Sequence, residues 1–178
     1  MNAEQTDSAV QTVPADVPVV GAARLNDALH LTKNHAMTAM AVGILPVPGL
    51  DLIALTGVQL NLLRKIGGLY GFTLSDEVGK KLVSSVLGGY LPLAIAGPVG
   101  SLLKFIPGVG MAAGALAQST LAGASTYAIG QLFTQHFEKG GTFLDVKPSE
   151  MGQKVKQQVE EGKQFLKRQA PSGKPDAP

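Results

Sequence analysis

AVGILPVPGLDLIALTGVQLNLLRKIGGLYG, residues 41–71, joins two apolar runs at Pro46-Val47-Pro48-Gly49-Leu50-Asp51. Proline has no amide donor, and its ring clashes with the preceding helical turn. The residue before each proline is pushed out of the α region. One helix is therefore expected to end near Leu45 and another to begin at Leu50. The second should run to about Ile66, with Gly67, Gly68 and Gly71 closing it. Asp51 falls at its start, where a negative charge suits the helix dipole. Upstream, Ala22–His35 reads as a helix with Leu25, Ala28, Leu29 and Thr32 on one stripe. It continues through His35–Leu45 as an apolar half-helix. At 1.5 Å per residue, neither His35–Leu45 nor Leu50–Leu63 reaches the ~20 residues needed to cross a bilayer core. A re-entrant or interfacial hairpin fits those lengths.

Further along, Ser75-Asp76-Glu77 has the form of a helix start, with Ser75 as N-cap and acids in the first turn. Leu82–Leu103 carries no charge and is broken by Gly97-Pro98 and Gly100. After Lys104, Phe105–Gln135 is again uncharged. It opens with Phe105-Ile106-Pro107-Gly108-Val109-Gly110 and reads as one long helix from Met111 to about His136. Ile44-Leu45-Pro46…Gly49 is thus echoed by Phe105-Ile106-Pro107-Gly108. The expected fold is all-α: two Pro/Gly-tipped hydrophobic helical hairpins plus a charged C-terminal helix, membrane-associated. The hairpins turn at Pro46, Pro48, Gly49 and Asp51, and at Pro107, Gly108 and Gly110. Small residues at Gly110, Gly114, Ala115, Ser119 and Gly123 form stripes suited to close packing within the hairpin. Ser149–Gln169 is the charged helix, with Met151, Val155, Val159 and Leu166 as a narrow stripe laid on the domain. Gly152 and Gly162 weaken it. The chain divides into a disordered leader (1–20), the hairpin domain (21–140), the charged helix (141–170) and a disordered tail (171–178).

Composition supports a membrane setting. Of 178 residues, 45% are hydrophobic and 16% charged, with 22 glycines; the mean hydropathy is +0.19. Soluble domains carry about 25% charge, and interior glycine costs a soluble helix ~1 kcal/mol. The net charge of +2 and the lack of a basic stripe with interleaved aromatics argue against a nucleic-acid partner. Cysteine is absent, which rules out disulfides and thiolate ligands. Arg64, Lys65, Lys80, Lys81 and Lys139 flank the expected hairpin bases, and Lys104 alone sits at a tip. If the hairpins insert, the positive-inside rule puts the bases and both termini in the cytoplasm.

No catalytic constellation emerges. Asp51 is the one acid between Asp27 and Asp76; a helix-start role outweighs an intramembrane carboxylate. His30 and His35 are five apart, off a shared helix face, so no metal site is expected. Ser119, Thr120 and Ser125 have no neighbouring His–Asp pair. The chain is read as non-enzymatic and without a cofactor.

Four segments carry a family resemblance: Gly43-Ile44-Leu45-Pro46-Val47-Pro48-Gly49-Leu50-Asp51, Gln59 to Gly71, Ile106-Pro107-Gly108-Val109-Gly110, and Thr126-Tyr127-Ala128-Ile129-Gly130. In order and spacing, Leu31 to Lys139 resembles the bacterial family called domain of unknown function 697 (DUF697). The resemblance implies an α-helical, membrane-associated module that often lies C-terminal to, or beside, Era-like or dynamin-like GTPase domains. It brings no catalytic residues. Gly108-x-Gly110-x-x-x-Gly114 lacks the lysine and hydroxyl of a phosphate-binding loop, so any GTPase would be a partner in trans. The expected function is an anchor or adaptor in contact with membrane lipid, with homo-oligomerisation as a further expectation. The alternative is a soluble or oligomeric bundle that inserts into membranes, as pore-forming proteins do, or binds an apolar ligand.

Overall fold

The computed structural model describes residues 17–44, 50–88 and 109–169. Those residues form five helices and no strand: α1 (Val17–Val42), α2 (Leu50–Leu69), α3 (Asp76–Leu87), α4 (Val109–Glu138) and α5 (Pro148–Gln169). The stretch before Pro46 is one continuous helix, α1. Gly67 and Gly68 do not close α2, which runs through both. Its stop is Gly71, in the left-handed region at φ 79°, with the Phe72 amide reaching back to the Gly67 carbonyl at 2.8 Å. Gly140 (φ 82°) ends α4 in the same way, and the Gly141 amide bonds to the His136 carbonyl at 3.0 Å. Both ends match the common glycine C-cap. Ser75 holds the N-cap backbone position of α3 without a side-chain capping bond, and Asp76 beside it pairs with Arg64.

α4 is the central helix. It packs most extensively on α1, then on α5, with α2 alongside. Small residues let α1 and α4 approach closely. A Cβ on Gly43 would sit 2.8 Å from the Ser119 Cα, and one on Gly123 would sit 2.9 Å from the Ala36 carbonyl oxygen. Thr32 fills the space above Gly130. These contacts make the pair antiparallel. α5 also runs antiparallel to α4: Leu166 lies on Gly123, Gly162 lies on Ala124 and Tyr127, and Phe165 stacks on Tyr127 with ring centroids 5.5 Å apart. Gly162 is therefore a close-contact position rather than a weak point. Met151, Val155, Val159 and Leu166 are all buried in this interface.

The turn of the second expected hairpin and most of its first arm fall outside the described residues. α3 packs on α2 and α5 and barely touches α4; residues 89–108 lie outside the described residues. Among the described residues, no helix is long and apolar enough to cross a membrane. The described helices form a bundle in which α4, from Ser119 onward, is largely covered by α1, α2 and α5.

Candidate functional site

The antiparallel arrangement gives the bundle two unlike ends. The C-terminus of α1, the N-termini of α2 and α4 and the C-terminus of α5 share one end, called the tip. The opposite end, the base, holds the ionic groups. There the Tyr70 hydroxyl donates to Glu138 Oε1 at 2.5 Å, and the Arg24 guanidinium lies 4.5 Å from the Tyr70 ring centroid. Burial, then the Glu138 bond, raises the Tyr70 pKa above its ordinary range. His136 Nε2 lies 2.9 Å from the Thr142 carbonyl oxygen and 3.0 Å from Asp145 Oδ1. The Thr142 amide and the His136 ring hold Asp145 below the usual carboxylate range.

Among the described residues, the tip exposes apolar side chains. Ile44 is 51% exposed, Ile53 71%, Leu116 62% and Met37 40%. Isolated exposed apolar residues are ordinary, but these four lie toward one end, where Asp51, Lys167 and Arg168 are the charged residues among those described. Residues 34–44, 52–63 and 109–137 contain no Asp, Glu, Lys or Arg. From Lys33 to Val42, the last residue of α1, is nine residues, or about 13 Å of helix. That is close to half of the ~30 Å hydrocarbon core of a bilayer.

Polar groups near the tip are internally satisfied. The Thr38 hydroxyl donates to the Asn34 carbonyl at 3.1 Å and Thr120 to the Leu116 carbonyl at 2.8 Å. Ser119 Oγ crosses to the Met40 carbonyl at 2.6 Å. The buried Gln59 amide spans Ser125 Oγ at 3.4 Å and Thr126 Oγ1 at 3.3 Å, tying α2 to α4. His35 links α1 to α2: its Nδ1–H donates to the Leu31 carbonyl at 2.8 Å, and the Asn61 amide donates to Nε2 at 3.2 Å. Nε2 as acceptor requires neutral imidazole.

Burial, assisted by Lys65, lowers the His35 pKa below 6.5 against the opposing Leu31 bond. The unfolded chain then binds the proton more readily than the folded one. The neutral ring's contribution is fully present above pH ~6.5 and is lost as pH falls below it. Thermal unfolding should show Tm falling between pH 7.5 and 5.5, and His35→Gln should flatten that slope. Equal slopes in the two proteins would exclude His35 as the source.

The residues singled out from sequence are scattered by the fold. Pro46, Pro48, Gly49, Pro107 and Gly108 lie outside the described residues. Asp51 and Gly110 fall in the first turns of α2 and α4, at the tip. Ser119 packs against α1, and Gly123 against α1 and Leu166 of α5. Ala115 is half-buried, and Gly114 is exposed, with nothing within 4 Å of the place a Cβ would take. No group of three or more His, Asp or Glu among the described residues is placed to hold a metal ion. No motif singles out Ile53, Leu116 and Met37; the long charge-free stretches on three separate helices are the signal that points to them.

The family described as Domain of unknown function (DUF697) matches residues 22–164. A relative, Magnetosome membrane protein 22 of Magnetospirillum gryphiswaldense, is 36% identical over 135 residues, covering 75% of this chain and 69% of the relative. No solved structure matches the chain.

Proposed function

The chain belongs to the DUF697 family, and on that footing we propose that it is a non-enzymatic membrane anchor or adaptor that docks its tip into one leaflet. The observation that carries this reading is the exposed apolar side chains at one end, where α1, α4 and α2 beyond Asp51 carry no charge. Moving each half-exposed Ile, Leu or Met from water to hydrocarbon is worth ~1–2 kcal/mol. Hydroxyls already bonded to their own helix, at Thr38 and Thr120, add little desolvation cost. A relative carrying the name of a membrane protein supports the setting. In this reading the ionic base stays in the cytoplasm, and Arg64, Lys80, Lys81 and Lys139 keep it there. The base would then be the surface offered to a partner, a GTPase in trans or a second copy of the chain.

The test is flotation with vesicles of mixed phosphatidylethanolamine and phosphatidylglycerol. The wild-type protein should float. Ile53→Glu/Leu116→Glu should lower vesicle partition by about 100-fold, since each change removes apolar transfer and adds a charge to be desolvated. Both positions are exposed, so Tm should stay within a few degrees. A wild type that stays at the bottom of the gradient, or a double variant that floats equally well, would refute docking through the tip.

A further inference from the structure

We propose that the surface this tip fits is an anionic one, read by a basic collar at the end of α5; the inference rests on the docking reading above. Leu166 lies against Gly123, which is seven residues from Leu116 along α4, or about 10 Å. α5 runs antiparallel to α4, so each residue after Leu166 moves toward the tip. Lys167 and Arg168 therefore stand just behind the exposed apolar side chains, at the height of the headgroup layer when Ile44, Ile53 and Leu116 are immersed. Both are exposed, and neither has an ion pair among the described residues. Long basic side chains lay their stems along apolar surface and keep the charge at the interface.

The charges of α5 are sorted along its length. Its acids, Glu150, Glu160 and Glu161, all precede Gly162. From Gly162 to Gln169 there is none, whereas Lys163, Lys167 and Arg168 all fall there. Lys163 is partly engaged by Glu160, at 2.7 Å. A helix dipole alone favours cations in a last turn. It does not require that turn to lie at the end where Ile44, Ile53 and Leu116 are exposed. Against the ionic base, the α5 lysines sit among acids: Lys147 pairs with Glu150 at 3.1 Å, and Lys154 shares a cleft with Asp145 and Glu150. Two exposed cations and the exposed apolar side chains thus lie at the same end, which also carries Asp51 in the first turn of α2.

Each such cation near an anionic leaflet is worth about 5-fold in partition, so about 30-fold for the two. Salt should erase most of it, since the screening length falls from ~10 Å at 0.1 M to ~3 Å at 1 M. The experiment compares partition of the full chain onto phosphatidylcholine vesicles and onto vesicles containing phosphatidylglycerol. Three proteins are used: wild type, Lys167→Gln/Arg168→Gln, and Lys154→Gln/Lys156→Gln as a control of equal charge nearer the base. Wild type and control should prefer the anionic vesicles by about 30-fold or more at low salt. The collar variant should lose most of that preference and keep its binding to phosphatidylcholine. Equal wild-type binding to both vesicles would overturn the anionic assignment and leave docking standing. Equal loss in the collar and control variants would overturn the collar in favour of net charge. Binding to neither vesicle would take down docking itself, and the collar with it.

Discussion

Phe133→Ala is expected to lower the unfolding free energy by about 3–5 kcal/mol, the range for removing a buried aromatic ring. Phe133 is fully buried and lies in a cluster that closes the base. Its ring centroid is 6.0 Å from Phe137 and 5.9 Å from Phe143. Phe143 meets Phe137 edge-on at 4.9 Å, and Phe72 packs on Phe137 at 5.2 Å. The cluster joins the end of α2, the end of α4 and the loop leading to α5. Phe143 also lies over Gly67, where a Cβ would come within 2.7 Å of its ring. The remaining rings cannot all follow a lost neighbour, so a cavity should persist. Urea denaturation of wild type and variant measures the difference. A loss below about 1 kcal/mol would mean that the base collapses around the gap and that the cluster is not a rigid core.

Gly123→Leu should cost about 3 kcal/mol or more, at the upper end of overpacking effects. A Cβ there would stand 2.7 Å from Leu166 Cδ1, 2.9 Å from the Ala36 carbonyl oxygen and 3.1 Å from Met40 Cβ. Leu166 can swing aside; the Ala36 carbonyl belongs to the α1 backbone and cannot move without prying α1 from α4. The contrast is Gly114, on the same helix, where a Cβ meets nothing within 4 Å. Gly114→Ala should be neutral or raise stability by up to ~1 kcal/mol through helix propensity alone. Comparable destabilisation at both positions would show that the helix, not its contact with α1, responds to the added side chain.

This pair of glycines also marks how far the sequence can be read. Small residues along Gly110, Gly114, Ala115, Ser119 and Gly123 signal close backbone approach, but not to what. α4 is apolar nearly all round, so no polar face indicates which side meets which neighbour. Chain order suggests the preceding apolar run; among the described residues, the contacts at Ser119 and Gly123 are with α1, more than sixty residues earlier, and with α5. Glycine abundance points to lipid, yet the same residues serve tight packing inside a bundle. Where polar and apolar residues alternate clearly, the sequence is more legible. The Met151, Val155, Val159 and Leu166 stripe marks the buried face of α5, and Pro46 with Pro48 separates α1 from α2. Gln59 with Ser125 and Thr126, or His35 with Asn61, are partners set by tertiary contact, and no local spacing announces them. The candidate site has a sequence signature in its missing charges, but only the fold stacks three uncharged stretches at one end and brings Lys167 and Arg168 beside them.

The opposed directions of α1 and α5 relative to α4 give the molecule a built-in ruler. Arg24 stands at one pole and Gln169 at the other, while residues between them mark graded heights. From Asp27 to Ile44 alone α1 climbs about 25 Å. Spectroscopic labels stepped along α1 and α4 therefore sample the same axis in reverse order of residue number. Any planar surface meeting one pole must be registered by the two series as mirror-image gradients. Tilt would displace the gradients relative to each other, and depth would shift them together, so orientation and immersion separate without a second structure.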